Sequence, residues 1–184
     1  MSTWEIVIWA AILAAAAAWP LYRLAVAART YSRFRGDRLV TCPETKETVS
    51  VHVAAGKAAT KTFAGMRDVH LNQCSRWPER EGCGQDCLSQ VEADPAACLV
   101  WNIVHQWYAD RKCQLCGKPF THISWHDHRP ALIDSEGTTV QWTEVPPKEL
   151  PEYFATHWPV CWDCHVAQTL RREHPELITN RRPH

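Results

Sequence analysis

The sequence has no surplus of charge of either sign. Its 20 Lys and Arg residues balance 20 Asp and Glu residues, so the formal net charge at pH 7 is zero. Proteins that bind nucleic acid generally carry a basic surplus, because Lys and Arg neutralise the phosphates. The composition therefore argues against a general nucleic-acid-binding protein.

The cysteines do not make up a complete set of disulfide partners. There are nine of them, and an odd count would leave one thiol over in a full disulfide framework. In a reducing compartment, clustered cysteines are more often metal ligands than cystines. We therefore treat the cysteines as candidate metal ligands.

Charged residues are absent from the amino-terminal run Ile6 to Tyr22. At a rise of 1.5 Å per residue this run is slightly short for a hydrocarbon core of about 30 Å. The long side chain of Arg23 can reach the interface, so the span can continue toward Ala28. Aromatic residues suited to the interface occur at Trp4, Trp9, Trp19 and Tyr22. The run predicts a transmembrane helix within residues 1–28.

Two other interpretations of this run are a cleaved signal peptide and a buried helix of a soluble core. Ala25-Val26-Ala27 has the form of a signal-peptidase site, but the first five residues contain no Lys or Arg. Five arginines follow the apolar run, at Arg23, Arg29, Arg33, Arg35 and Arg38. By the positive-inside rule, these residues predict a single-pass protein of the cell membrane with its amino terminus outside and its carboxyl-terminal domain in the cytoplasm.

The strongest chemical motif is a pair of CxxC sequences, Cys113–Cys116 and Cys161–Cys164. A tetrahedral zinc site needs four soft ligands, and each CxxC loop can direct two thiolates at one ion. We predict that these four cysteines bind one zinc ion.

The residues around the two motifs predict a short series of elements. Ile123 and Trp125 alternate with polar residues, which is typical of a strand. The predicted elements are a strand over 121–129, a turn over 134–137, a strand over 138–142, a short helix over 149–157 and a helix over 162–172. The order of knuckle, hairpin and helix with the second cysteine pair resembles a treble-clef zinc finger. That resemblance implies a structural zinc ion.

Residues 113–170 also resemble the HNH endonucleases, through the first CxxC with its following glycine, Asp127-His128, Pro130 and the second CxxC with His165. The resemblance implies that Asp127 binds a divalent ion and that His128 is the general base for phosphodiester hydrolysis. No asparagine stands just before the second CxxC, where that family has its middle residue, so we assign no catalytic residue. The string Cys161–His165 also matches the attachment motif of c-type haem, which implies an exported cytochrome as a further alternative.

The region before the first CxxC contains a second group of cysteines. We propose Cys42, Cys74, Cys83 and Cys87 as a four-thiolate site for zinc or for an iron–sulfur cluster. The alternative is a set of buried cysteines that act as small apolar residues. Cys98 could take the place of Cys42 as a ligand.

Alternation and capping predict the elements that carry these cysteines. Val49, Val51 and Val53 alternate with polar residues and predict a β-hairpin over 39–53, and a further strand is expected over 69–74. Asp94-Pro95 predicts the start of a helix that runs from Ala96 to about Asp110.

Together, these features predict an α+β protein with one amino-terminal transmembrane helix and a small, cysteine-rich, metal-stabilised domain. The predicted segments are the transmembrane helix 1–28, a basic juxtamembrane linker 29–38, a cysteine-rich module 39–112, a treble-clef-like zinc module 113–175 and a polar tail 176–184. The expected function is that of a structural or interaction subunit, an adaptor in a membrane complex with a protein partner. Electron transfer through an iron–sulfur cluster and HNH-like hydrolysis are the alternatives.

Overall fold

A computed structural model describes residues 3–77, 79–80, 82–121, 123 and 125–177. The protein mixes helices and sheets, as expected, and divides into two compact units, Met1–Leu99 and Val100–His184. The predicted boundary between modules was 112/113. The helix before the first CxxC belongs to the second unit.

The first unit begins with one long helix. Its elements in chain order are α1 (Thr3–Phe34), β1 (Asp37–Thr41), β2 (Thr48–Val53), α2 (Ala55–Phe63), β3 (Leu71–Cys74) and α3 (Leu88–Ala93). Helix α1 is long and apolar enough to span a membrane, and none of its most apolar stretch is buried within the structure. Helix α1 also continues through residues 29–34, which we predicted as part of the linker. The arginines there are compatible with a helix, because arginine is among the better helix-forming residues.

Strands β1, β2 and β3 form an antiparallel sheet in that order, which confirms the predicted hairpin and the predicted third strand. The alternating valines of β2, Val49, Val51 and Val53, are buried against the core of this unit, as their spacing predicts. Helix α2 packs along the carboxyl-terminal part of α1, with the small residues Ala27, Ala55 and Ala58 buried.

The second unit contains α4 (Val100–Tyr108), β4 (Ala131–Ile133), β5 (Thr139–Gln141), α5 (Leu150–Thr156), β6 (Trp158–Val160) and α6 (Trp162–Glu173). Its sheet has the strand order β5–β4–β6, with antiparallel pairing on both sides of β4. The predicted helices over 149–157 and 162–172 are confirmed. A 3₁₀ turn, Pro175–Leu177, begins the predicted polar tail, and residues 178–184 lie outside the described residues.

Two predicted elements of this part of the chain are wrong in position. In the described residues of 121–129 there is no strand, and the first strand of the hairpin is β4. Helix α4 begins at Val100 rather than at Ala96, because Leu99 pairs with Arg38 in an isolated bridge and the Cys98 carbonyl accepts a hydrogen bond from the Leu39 N–H. The Asp94 carboxylate accepts hydrogen bonds from backbone N–H groups of the following turn. This turn does not continue into a helix.

Candidate metal centre

The four CxxC cysteines meet at one point of the second unit. The ligand atoms of Cys113, Cys116, Cys161 and Cys164 all lie within 4.8 Å of one another. The Cys116 and Cys161 sulfurs are 3.7 Å apart. Four sulfurs that each lie about 2.3 Å from a zinc ion at tetrahedral angles are separated by about 3.8 Å. The donor set and its spacing therefore fit a single tetrahedral metal ion.

A tight loop supplies the first two thiols. The Cys113 N–H donates to the Lys118 carbonyl at 2.9 Å, and the Gly117 N–H returns to the Cys113 carbonyl at 2.9 Å. Gly117 has a φ of 71°, a conformation that glycine adopts without strain. The loop is closed by a bridge between Lys112 and Pro119. The chain reversal thus places both sulfurs of the motif on one side.

The start of α6 supplies the other two thiols. Cys161 directly precedes the helix, and Cys164 lies in its first turn. The Gln114 N–H donates to the Pro159 carbonyl at 2.8 Å, which holds the first loop beside β6. Helix α6 is in turn held against β5 by His165, whose Nδ1 lies 2.8 Å from the Thr139 hydroxyl. The sheet therefore positions the helix that carries the second pair.

Hydrogen bonds from backbone N–H groups favour one thiolate in this group. Cys113 is buried, and burial alone would raise the pKa of its thiol. The N–H groups of Cys161, Cys116 and Leu115 outweigh that effect and lower the pKa to about 7. The Cys161 N–H lies 3.3 Å from the Cys113 sulfur.

The thiols of Cys161 and Cys164 are held neutral in the absence of a cation. Burial raises the pKa of Cys164, and its hydrogen bonds with the neighbouring thiols add to that rise. Burial also raises the pKa of Cys161. Close thiolates repel one another unless a cation lies among them. The group is therefore arranged for four thiolates only when a metal ion compensates their charge.

His165 packs against the sheet of the second unit. It is buried, its Nδ1 is engaged with Thr139, and burial lowers its pKa and keeps the ring neutral. The sequence indicated His165 only as part of the haem and HNH motifs, and its contact with β5 could not be read from either motif.

The HNH-like residues lie outside the group of four thiols, although His128 lines one pocket with Cys161. Asp127 and His128 are exposed in a turn, and the His128 ring approaches the Trp162 ring with centroids 5.9 Å apart. Within the described ranges, neither side chain joins a group of three or more close metal-binding residues. The HNH resemblance stays a prediction.

The second predicted set of cysteines converges less tightly, in the first unit. Cys42, Cys74, Cys83 and Cys87 line one pocket together with Arg76 and Trp77. Across the part of the chain that the structure describes, only the CxxC group brings three or more metal-binding atoms within 4.8 Å of one another. The sulfurs that line this pocket are therefore more widely spread than those of the CxxC group. Cys98 does not line the pocket; its thiol donates to the Gln90 carbonyl at 3.8 Å.

Donors surround the sulfurs of this pocket as well. N–H groups of Thr45 and Glu44 and the guanidinium of Arg76, 2.9 Å from the sulfur, lower the pKa of Cys42 to about 7. Burial, with the neighbouring cysteines, raises the pKa of Cys87 to about 11. Arg76, which lies in the turn two residues after Cys74, was not among the predicted residues.

Compared with known proteins, the chain matches no protein-family model, no curated protein sequence and no solved structure.

Proposed function

We propose that this protein is a membrane-anchored zinc protein, in which Cys113, Cys116, Cys161 and Cys164 hold a structural zinc ion in a treble-clef-like module. The observation that carries the proposal is the convergence of four thiols within 4.8 Å. The order of CxxC loop, β4–β5 hairpin and α6 supports the treble-clef comparison. A site closed by four thiolates leaves no open position for a substrate, so its role is structural.

Helix α1 serves as the membrane anchor in this proposal. The core helix of a soluble protein would be mostly buried, whereas the apolar stretch of α1 is not buried at all. Cleavage as a signal peptide after Ala27 would remove two features that hold the first unit together. These are the burial of Ala27 beside α2 and the bond from Arg23 to the carbonyl of Phe63. The arginines after the apolar run favour a cytoplasmic location for the second unit and for the part of the first unit that follows α1.

The zinc module would bind a partner protein in a membrane complex. Leu115 and Trp158 are large apolar side chains that are 45% and 44% exposed. They neighbour Gln114 and Pro159, whose backbones are hydrogen bonded to each other beside the metal group. Aromatic and aliphatic side chains on a rigid surface are common anchors of protein interfaces. The metal would then act by holding this surface in one shape.

Metal analysis of the full chain, purified in detergent without air, tests the metal assignment. We expect one zinc ion per chain at the CxxC group, lost in Cys116→Ser and retained in Cys98→Ser, a cysteine outside both groups. Retention of zinc in Cys116→Ser would contradict the assignment. Fusions of a cytoplasm-active and an export-active reporter after His184 test the topology. Activity of the export-active fusion alone would contradict it.

Cross-linking in native membranes tests the adaptor role. We expect a cross-linked partner that is lost in Leu115→Ser with Trp158→Ser, while metal content stays unchanged. Leu170→Ser serves as the matched control, because Leu170 is also 45% exposed but lies late in α6. Equal loss in the control would contradict the proposed surface.

A second candidate function is electron transfer through an iron–sulfur cluster at Cys42, Cys74, Cys83 and Cys87. The spread of these sulfurs around one pocket favours it, because the irons and sulfides of a cluster separate the cysteine ligands more widely than one zinc ion does. The same preparation would then be brown and contain iron and sulfide, and Cys83→Ser would remove the colour. Colourless protein with two zinc ions per chain would exclude the cluster and assign zinc to both groups.

A further inference from the structure

Helix α2 runs back along α1 toward its apolar half. The first turn of α2, at Ala55, lines one pocket with Tyr31 of α1 and with Arg35, which directly follows α1. Its last residue, Phe63, is bonded through its carbonyl to Arg23. Arg23 lies about 12 Å from Tyr31 along α1 at a rise of 1.5 Å per residue. The two helices are therefore antiparallel, and the end of α2 lies at the level of Arg23.

Arg23 makes several contacts with the end of α2. Its Nε donates to the Phe63 carbonyl at 2.8 Å, and its Nη2 donates to the Phe63 and Thr62 carbonyls. A cation at the carboxyl end of a helix is favourable, because the last carbonyls have no partner within the helix. Gly65, with a φ of 90°, leaves room for the guanidinium, and a Cβ there would lie 3.1 Å from Nη2. The end of α2 is thus tied to one position along α1.

That position is the end of the apolar run. Arg23 is the first charged residue after Ile6–Tyr22, and Trp19 and Tyr22 next to it are 65% and 63% exposed. Tryptophan and tyrosine at the end of a membrane span lie at the level of the lipid headgroups. In a membrane, the bond from Arg23 would bring Phe63 to that same level.

The turn after α2 exposes apolar side chains at this level. Phe63 is 47% exposed and Met66 is 51% exposed. Among the described residues of the first unit outside α1, these two are the exposed large hydrophobic side chains. Arg67 next to them is exposed as well. Apolar side chains beside a cation are the composition of segments that lie in a membrane interface.

We propose that residues 63–67 form a second membrane contact, in which Phe63 and Met66 enter the headgroup region and Arg67 faces the lipid phosphates. This inference rests on the proposed membrane span of α1, with which the contact is continuous. Together, α1 and the end of α2 fix the first unit at two points against the bilayer, so that the β1–β2–β3 sheet is held at the membrane surface.

Lipid photo-cross-linking of the full chain in bilayer nanodiscs tests the contact. The probe is a phospholipid with a diazirine next to its headgroup, and adducts are mapped by mass spectrometry. We expect adducts on α1 and on residues 63–67, and fewer on the exposed polar turn Glu44–Glu47, which serves as the internal reference. The variant Arg23→Lys keeps the charge but loses the forked contact with α2, so we expect a several-fold loss of adducts on residues 63–67 alone.

The outcomes separate this inference from the membrane span. Adducts on α1 without adducts on residues 63–67 would overturn the second contact and leave the span in place. Equal labelling of residues 63–67 and of Glu44–Glu47 would also overturn it. Absence of adducts on α1 would overturn the span, and the second contact with it. Unchanged labelling of residues 63–67 in Arg23→Lys would overturn the role of Arg23.

Discussion

Removal of zinc should destabilise the second unit far more than a typical core substitution. Cys113 is 2% exposed and packs with Ile133 and Val160, so the four-cysteine group is part of the core of this unit rather than an addition at its surface. Without a cation, the raised pKa values of Cys161 and Cys164 keep these thiols neutral, and the loop and helix are joined by weak contacts between thiols. The zinc ion would replace these contacts with four metal–sulfur bonds.

The size of the effect follows from mass action. Binding to the folded state at a free zinc concentration 1,000-fold above Kd stabilises it by about 4.1 kcal/mol. In a domain of 60–100 residues, which is the size class of Val100–His184, about 1 kcal/mol shifts Tm by about 4–8 °C. The expected shift between zinc-free and zinc-loaded protein is therefore about 16–33 °C. Each tenfold rise in free zinc should add about 1.4 kcal/mol.

Thermal unfolding of the full chain in detergent, followed by near-ultraviolet circular dichroism in zinc buffers, measures this shift. The zinc-dependent transition should disappear in Cys113→Ser and persist in Cys98→Ser, whose thiol lies outside both cysteine groups. A Tm that stays constant while free zinc rises 1,000-fold would refute the reasoning, because a ligand that binds only the folded state must raise Tm.

Three further predictions concern pH and buried hydrogen bonds. Zinc affinity should fall as pH drops, because the metal must displace the protons of the neutral Cys161 and Cys164 thiols, and the fall should steepen below about pH 7, where the Cys113 thiol is protonated as well; competition titrations between about pH 6 and 8 would show no slope if thiolates were not the ligands. Tyr108→Phe should lower the free energy of unfolding by about 1–2 kcal/mol, since the fully buried hydroxyl donates to the Ala131 carbonyl at 2.8 Å; a neutral result in urea unfolding would contradict this contribution. Arg38→Lys should lower the free energy of unfolding by about 1.5–3 kcal/mol in the same assay. The buried guanidinium donates to the Pro95 carbonyl, and a lysine ammonium group cannot reproduce the forked arrangement of the arginine donors. An unchanged urea midpoint would contradict this prediction.

The local patterns predicted the elements that depend on nearby residues. The period-two valines of β2 and the two CxxC loops needed only a few neighbouring residues to define their conformation, and the structure has them where they were expected. Helix α6 was predicted on the same grounds, and it ends at Glu173, before Pro175.

The errors occur where distant residues decide the structure. Strand β4 was missed because Ala131, Leu132 and Ile133 are all buried between β5 and β6, and a central strand of this kind reads as a short apolar run rather than as an alternation. Trp125, which suggested a strand, instead packs with the aromatic rings of Trp101 and Tyr108. Neither environment can be read from the adjacent sequence.

The two cysteine groups also differ in whether adjacent or distant residues position their sulfurs, and this difference affects their chemistry. In the CxxC group, each pair of sulfurs is directed by its own loop or helix turn, so residues adjacent in the sequence bring each pair together. In the first unit, Cys74 depends on the pairing of β3, and Cys42 is already in contact with the cation of Arg76. A metal ion that binds there must compete with this guanidinium for the Cys42 sulfur. Arg76 also lies 3.3 Å from a carboxylate oxygen of Glu44, so that carboxylate can keep it when a metal takes the thiolate. Metal binding at the group that contains Cys42 would therefore exchange one cation for another, whereas the CxxC group would bind a metal ion without displacing a cation.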